Sequence, residues 1–192
     1  MGKLFIPVIV GTDRPNRNSI KAAKFIQAVG SSFENIDTVL VDPVDFHSDV
    51  DGSKLISQDI TYSDVTARAD GFFIVTPEYN HSYPGCLKQL LDSEYDNYAH
   101  KAVALAGVSS GPWGGIRALE SLVLTTRALG LYCTNTDVLF PRVKGLFDQD
   151  GKIIDDDYYK IAKKAWDELI WLAAALSKSR SKANSDAVQS LA

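Results

Sequence analysis

The chain has 192 residues, 45% of them hydrophobic and 23% charged, which suits one globular domain with core enough to fold without disulfide or metal support. Its formal net charge of -4, with no basic arm or dense Lys/Arg stripe before the tail, argues against a protein built around nucleic-acid phosphates. No apolar run approaches the roughly 20 residues that span a bilayer, so no membrane span is expected, and Leu4 to Val10 is too short and too strand-like for a secretory signal.

The continuous apolar run from Leu4 to Val10 predicts a strand covered on both faces, with Pro7 out of place in its middle. Gly11 to Ser19 is a polar loop. A helix is expected over Ile20 to Val29, turning Ile20, Ala23, Phe25, Ile26 and Val29 inward and stopping at Gly30. Ile36 to Val41 reads as a second strand, Asp42 to Ile60 as acidic and irregular, and Thr61 to Asp70 as a short helix.

Gly71 to Val75 is a third, buried strand that breaks into the rigid polar loop Thr76 to Gly85, from which a helix starts near Pro84. A fourth strand covers Lys101 to Val108, and Ser109 to Gly115 is a Gly-rich loop. The next helix, Gly115 to Leu129, has Ile116, Leu119, Leu122, Val123 and Leu129 apolar and ends at Gly130. Leu131 to Phe140 is a fifth strand, polar enough for an edge. Asp155, Asp156 and Asp157 open a last helix whose apolar face runs from Tyr158 to Leu176. Alternating strands and helices imply a parallel sheet under right-handed crossovers, an α/β three-layer sandwich with five strands in the order 2-1-3-4-5. Residues 1–176 would form the domain, and the Ser-, Lys- and Ala-rich residues 177–192 a flexible tail.

In that strand order the loops after strands one, three and four share one crevice. In the first, Thr12, Asn18 and Ser19 supply donors, the following helix points free N–H groups outward, and Arg14 or Arg17 adds positive charge. A phosphate monoester needs this combination, although the same residues equally suit a plain helix cap with solvated arginines. The loop carries neither G-x-G-x-x-G nor G-x-x-x-x-G-K-[ST], which counts against a dinucleotide Rossmann site and a P-loop NTPase. Gly114 and Gly115 either let a flat ligand approach the backbone or make a tight turn. Cys86 and Cys133 are isolated and read as reduced core thiols of a cytoplasmic protein, and His47, His81 and His100 are too scattered for a metal site.

Together the loops resemble the NADPH-dependent FMN reductase family of flavodoxin-like proteins. The resemblance rests on Gly11-Thr12-x-Arg14 with Ser19, then Thr76-Pro77-Glu78-Tyr79-Asn80-x-Ser82-x-Pro84-Gly85-x-Leu87-Lys88, then Gly111-x-x-Gly114-Gly115, and Leu146-Phe147-Asp148-x-Asp150-Gly151. It implies that Thr12, Arg14 and Ser19 hold an FMN phosphate, with Arg17 and Asn18 as further candidates. Pro77, Glu78, Tyr79 and Asn80 would border the flavin ring with backbone N–H groups, and Ser110, Gly111, Trp113 and Gly114 would line its other side. The implied activity passes hydride from NADPH or NADH to flavin N5 and then electrons to a small-molecule acceptor such as a quinone, azo dye, flavin or metal oxyanion. The chemistry would be borne by the flavin, with no catalytic side chain, and Glu78 would fix its loop. Thr12 stands where Ser is usual in the family, and Ser93-Glu94-Tyr95 replaces a frequent tryptophan. A homodimer or homotetramer is implied. The alternative is a flavodoxin-type electron carrier without its own nicotinamide chemistry, against which the mild net charge speaks.

Overall fold

The computed structural model describes residues 2–48, 55–57 and 60–189. Its strands are β1 (Leu4–Phe5), β2 (Val8–Val10), β3 (Ile36–Asp37), β4 (Leu40–Val41), β5 (His47–Ser48), β6 (Leu55–Ser57), β7 (Ile60–Thr61), β8 (Gly71–Pro77), β9 (Ala102–Val108), β10 (Tyr132–Cys133) and β11 (Val138–Phe140). The helices are α1 (Ser19–Ser31), α2 (Tyr62–Arg68), α3 (Gly85–Asp92), α4 (Ile116–Ala128) and α5 (Asp157–Gln189). The main sheet is parallel in the order β10-β9-β8-β2-β4, with β11 also paired to β9, and β1 pairs β3 beside it.

Five uninterrupted strands describe this sheet only coarsely, because the first, second and fifth expected strands each break in two. Pro7 explains the first break. Its carbonyl accepts from Phe73 N at 3.0 Å, so the side of the residue that lacks an N–H faces β8. The pairing toward β3 and β4 survives, since Ile6 N and Val8 N donate to the carbonyls of Asp37 and Val39 at 2.9 and 2.8 Å. The fifth strand breaks because Asn135 N and Thr136 N leave the ladder and donate to the Glu168 carboxylate of α5 at 2.7 and 2.9 Å. The segment expected to be irregular holds a turn of 3-10 helix at Pro43–Asp45, capped by Asp42, and the antiparallel strands β5, β6 and β7. Residues 49–54 and 58–59 of that segment lie outside the described residues.

Alternation along β8 and β9 divides the interior into two cores. Phe73, Val75, Ala104 and Ala106 face α1 and α5, whereas Phe72, Ile74, Val103 and Leu105 face α3 and α4. A run with no polar side is therefore what the two-layered helix cover requires. Trp166 of α5 is wholly buried in the first core and donates its indole N–H to the Ile26 carbonyl of α1 at 2.9 Å.

Three helix details differ from expectation. Gly30 lies within α1, and the helix is capped by Ser32 in right-handed conformation. A Cβ at Gly30 would sit 2.4 Å from Trp166 Cζ2, so this glycine answers to packing and does not serve as a stop. Gly130, by contrast, follows α4 with φ +77°, as a terminating glycine does. Val123 is 39% exposed, and the inner face of α4 is Ala118, Leu119, Leu122 and Thr126. Finally, α5 continues past Ser177: Ser177 Oγ donates to Asp70 Oδ1 at 2.8 Å, and Arg180 reaches the His100 carbonyl at 2.6 Å and Asp70 at 3.3 Å.

Candidate functional site

The chain passes from β2 through α1 to β4, then returns to the other side of β2 to form β8. This reversal leaves a crevice beyond the carboxyl ends of β2 and β8, where open α/β sheets take ligands. The loops after β2, β8 and β9 enclose a cleft of about 660 Å³ there. Arg14, Arg17, Asn18 and Ser19 line one end, Pro77, Glu78 and Tyr79 one wall, and Ser110, Gly111 and Trp113 the other. Thr12, Asn80 and Gly114 do not line it. Thr12 is buried behind the wall, its Oγ1 3.1 Å from Tyr79 OH and accepting from Arg14 N at 3.3 Å. Gly114 is held at φ +62° against Leu139, and Asn80 makes a turn.

The first end collects hydrogen-bond donors and positive charge. Asn18 precedes α1 without capping it by its side chain, and the first turn carries no acidic residue, so the helix dipole and its free N–H groups open toward the cleft. Ser19 is 2% exposed and its Oγ is buried with no partner. A buried hydroxyl is ordinarily paired, and an acceptor arriving in the cleft would pair this one. The Arg14 guanidinium lies over the Tyr79 ring at 5.9 Å. Arg17 braces the loop: it is ion-paired with Asp42 at the end of β4 and donates to the Arg14 carbonyl at 3.4 Å.

At the other end, Asn80 and His81 both have positive φ, 51° and 68°, between Tyr79 and Ser82, which exchange both backbone hydrogen bonds at 2.8 and 3.0 Å. Two residues at positive φ between paired positions make a tight hairpin turn with the twist of a type I′ turn. Its rigidity has a consequence for the expected backbone donors. Tyr79 N is engaged by Ser82, Glu78 N donates to the Val108 carbonyl at 3.0 Å, and Pro77 has no N–H. The segment from Pro77 to Tyr79 therefore turns no free amide to a ligand. What it presents is the Glu78 carboxylate, 7% exposed, with Oε1 2.5 Å from Arg117 Nη2 of α4 and Oε2 buried without a partner. Arg117 Nη1 also lies 2.9 Å from His81 Nε2. Opposite, β9 and the start of α4 approach closely, since a Cβ at Gly107 would meet the Gly114 carbonyl at 2.5 Å.

Arg117 and Lys144 also line the cleft, and neither is marked by its local sequence. Arg117 stands two residues after Gly115 and reads as a solvated helix residue until Glu78 is known to face it. Lys144 reaches the site because Arg142 N and Val143 N donate to the carbonyls of Gly111 and Ser109 at 2.9 and 3.1 Å, a long-range contact with no local signal. Both cysteines are half-buried and free, and burial pushes both thiols up, which disfavours the thiolate form. Among the described residues no His, Cys, Asp and Glu cluster could hold a metal, and no helix is long and apolar enough to cross a membrane.

A parallel sheet with helices on both faces and a cleft at the reversal of strand order defines a flavodoxin-like α/β protein. The same fold appears in a flavoenzyme NAD(P)H:(acceptor) oxidoreductase from Paracoccus denitrificans, which matches at 20% identity and a TM-score of 0.70 over 91% of this chain and 98% of that one. Residues 5–144 match the model of the NADPH-dependent FMN reductase family, and the chain belongs to that family. A quinone reductase from Pseudomonas putida is 26% identical over 78% of this chain and 84% of its own length. A 2-hydroxy-1,4-benzoquinone reductase from a Burkholderia species is 28% identical over 86% and 93% respectively. The protein is an FMN-dependent NAD(P)H oxidoreductase, and the carrier alternative is not favoured.

Proposed function

We propose that Arg14, Asn18, Ser19 and the first turn of α1 hold the FMN phosphate, and that Pro77, Glu78 and Tyr79 on one side and Ser110, Gly111 and Trp113 on the other border its ring. The observation that carries this reading is the buried, unpartnered Ser19 hydroxyl at an uncapped helix N-terminus inside the cleft. Arg17 holds the phosphate loop through Asp42, and Thr12 supports it from behind through Tyr79. Bound FMN supplies the hydride and electron chemistry between a reduced nicotinamide and an acceptor. The chain's own work is to bind and orient the ring between two rigid loops and to leave Trp113, 63% exposed, at the open mouth.

The acceptor is a quinone or a related small oxidant, in keeping with the names of the quinone reductase relatives. The working form is a cytoplasmic homodimer or homotetramer, and the flavin-binding domain extends beyond the expected residues 1–176 into the part of α5 that Ser177 and Arg180 tie to Asp70. Purified protein should be yellow, and NADPH or NADH added anaerobically should bleach it. Colourless protein that cannot be loaded with FMN refutes the proposal, and a yellow protein that neither nucleotide reduces points to the carrier. Steady-state rates over quinones, azo dyes, free flavins and metal oxyanions identify the acceptor.

A further inference from the structure

We infer that the Glu78 carboxylate accepts a hydrogen bond from the imide N3–H of the flavin ring, with Arg117 as the counter-charge that holds it in place. This rests on the FMN reading of the cleft. Glu78 is nearly buried at the end of β8, yet only one of its carboxylate oxygens is paired, to Arg117, while Oε2 is buried in a residue that lines the cleft and has no partner. A buried, unpaired carboxylate oxygen is costly and is retained where a ligand completes it. The chemistry of that ligand follows from what surrounds the oxygen. A phosphate would be repelled there, and an apolar ring edge would leave the oxygen unpaired.

The wall around Glu78 is an acceptor surface. With the amides of Glu78 and Tyr79 engaged inside the protein and Pro77 lacking one, the wall offers this unpaired oxygen, flanked by the Arg117 guanidinium. The pyrimidine edge of an oxidised flavin is the complement: one N–H donor flanked by two carbonyl acceptors. Glu78 is therefore a positioning residue that sets the register of the ring along the wall. Arg117 is in turn steered by His81, whose place is fixed by the tight Asn80–His81 turn.

The test is a cycle of affinities, measured by fluorescence quenching, for FMN and 3-methyl-FMN against the wild-type protein, Glu78→Ala and Glu78→Gln. Methylation removes the N3 donor. In the wild type it should weaken binding by about 10- to 100-fold, as loss of a hydrogen bond to a charged group does. In Glu78→Ala the two flavins should differ by less than about threefold, since the acceptor is gone. Glu78→Gln retains an acceptor oxygen and should bind FMN within several-fold of wild type. Equal methylation penalties in wild type and Glu78→Ala overturn the inference while leaving the flavin site standing. Failure of the wild type to bind either flavin overturns the FMN reading itself. A proton spectrum of 15N-labelled FMN meets the objection that the methyl merely collides with Glu78. The N3 proton should lie downfield in the wild type and return toward its free position in Glu78→Ala, and an unchanged position refutes the bond. A nicotinamide carboxamide also carries N–H donors, so a Glu78→Ala protein with altered KM for NADPH or NADH and unaltered FMN affinity likewise overturns the assignment.

Discussion

Gly30→Ala sets two effects of opposite sign against each other. A glycine in a helix is less favourable than alanine by at most about 1 kcal/mol, so on α1 alone the substitution should stabilise. The added Cβ would lie 2.4 Å from Trp166 Cζ2 and 2.8 Å from Cε2 and Cη2, where carbon atoms ordinarily meet at about 3.5–4.0 Å. The indole cannot easily retreat: it is wholly buried, packed at 5.3 Å on Phe73 and 6.4 Å on Phe33, and fixed by its bond to the Ile26 carbonyl. Overpacking costs about 1–3 kcal/mol, and a fixed neighbour places this site at the upper end. The net expectation is a loss of about 2 kcal/mol, or about 4–8 °C in Tm for a domain of this size. Thermal and urea melts followed by circular dichroism measure it, and Trp166→Phe in the Gly30→Ala background should make the penalty of Gly30→Ala smaller than it is beside Trp166. A higher Tm for Gly30→Ala, or an undiminished penalty beside Phe, refutes the reasoning.

Ser19→Ala should weaken FMN binding about five- to tenfold while leaving the stability of the FMN-free protein unchanged or slightly raised, because a buried unpaired hydroxyl disappears; flavin titration and urea melts check the two signs. Arg14→Ala should weaken FMN retention by about 10- to 100-fold, and an unchanged affinity would show the phosphate end to be misassigned. Burial first, and then the carboxylates of Glu120 and Glu168, push the Asp137 carboxyl up to about 6. An unfolded chain releases that proton near pH 4, so the folded protein binds it more tightly between about pH 4 and 6 and loses stability as pH rises through that window. Asp137→Asn should therefore be more stable than wild type at pH 7.5, by about 1 kcal/mol after allowing for partial exposure, with the difference gone by pH 4. Melts across that range test it, and a pH-independent difference would mean that the gain is not electrostatic.

The parallel sheet and the site's position were legible because their signals are local. Uniformly apolar runs marked β8 and β9, and polar, Gly-rich loops followed β2, β8 and β9 in chain order. What escaped depends on contacts across the chain. Gly30 and Gly130 carry the same local signal, yet one answers to an indole 136 residues away and the other to its own φ. The break in the fifth strand comes from Glu168 on another element, and Arg117 belongs to the cleft only because Glu78 faces it. Thr12 carried the right chemistry but folds behind the wall, where its hydroxyl meets Tyr79. A loop's composition names the ligand class it suits. Which of its groups remain unpaired, and so available, is decided by the rest of the fold.

The outer margin of the sheet bears on how this protein keeps to itself. A bare strand edge is a template on which another chain can pair, and long flat edges seed aggregation. Here the margin consists of the short strands β10 and β11, and the Glu168 carboxylate occupies the two amides in the gap between them. An incoming strand meets two interrupted ladders and an acidic cluster of Glu120, Asp137 and Glu168. On that side a second copy cannot continue the sheet in register, so chains that meet there must associate through side-chain surfaces and not through their backbones.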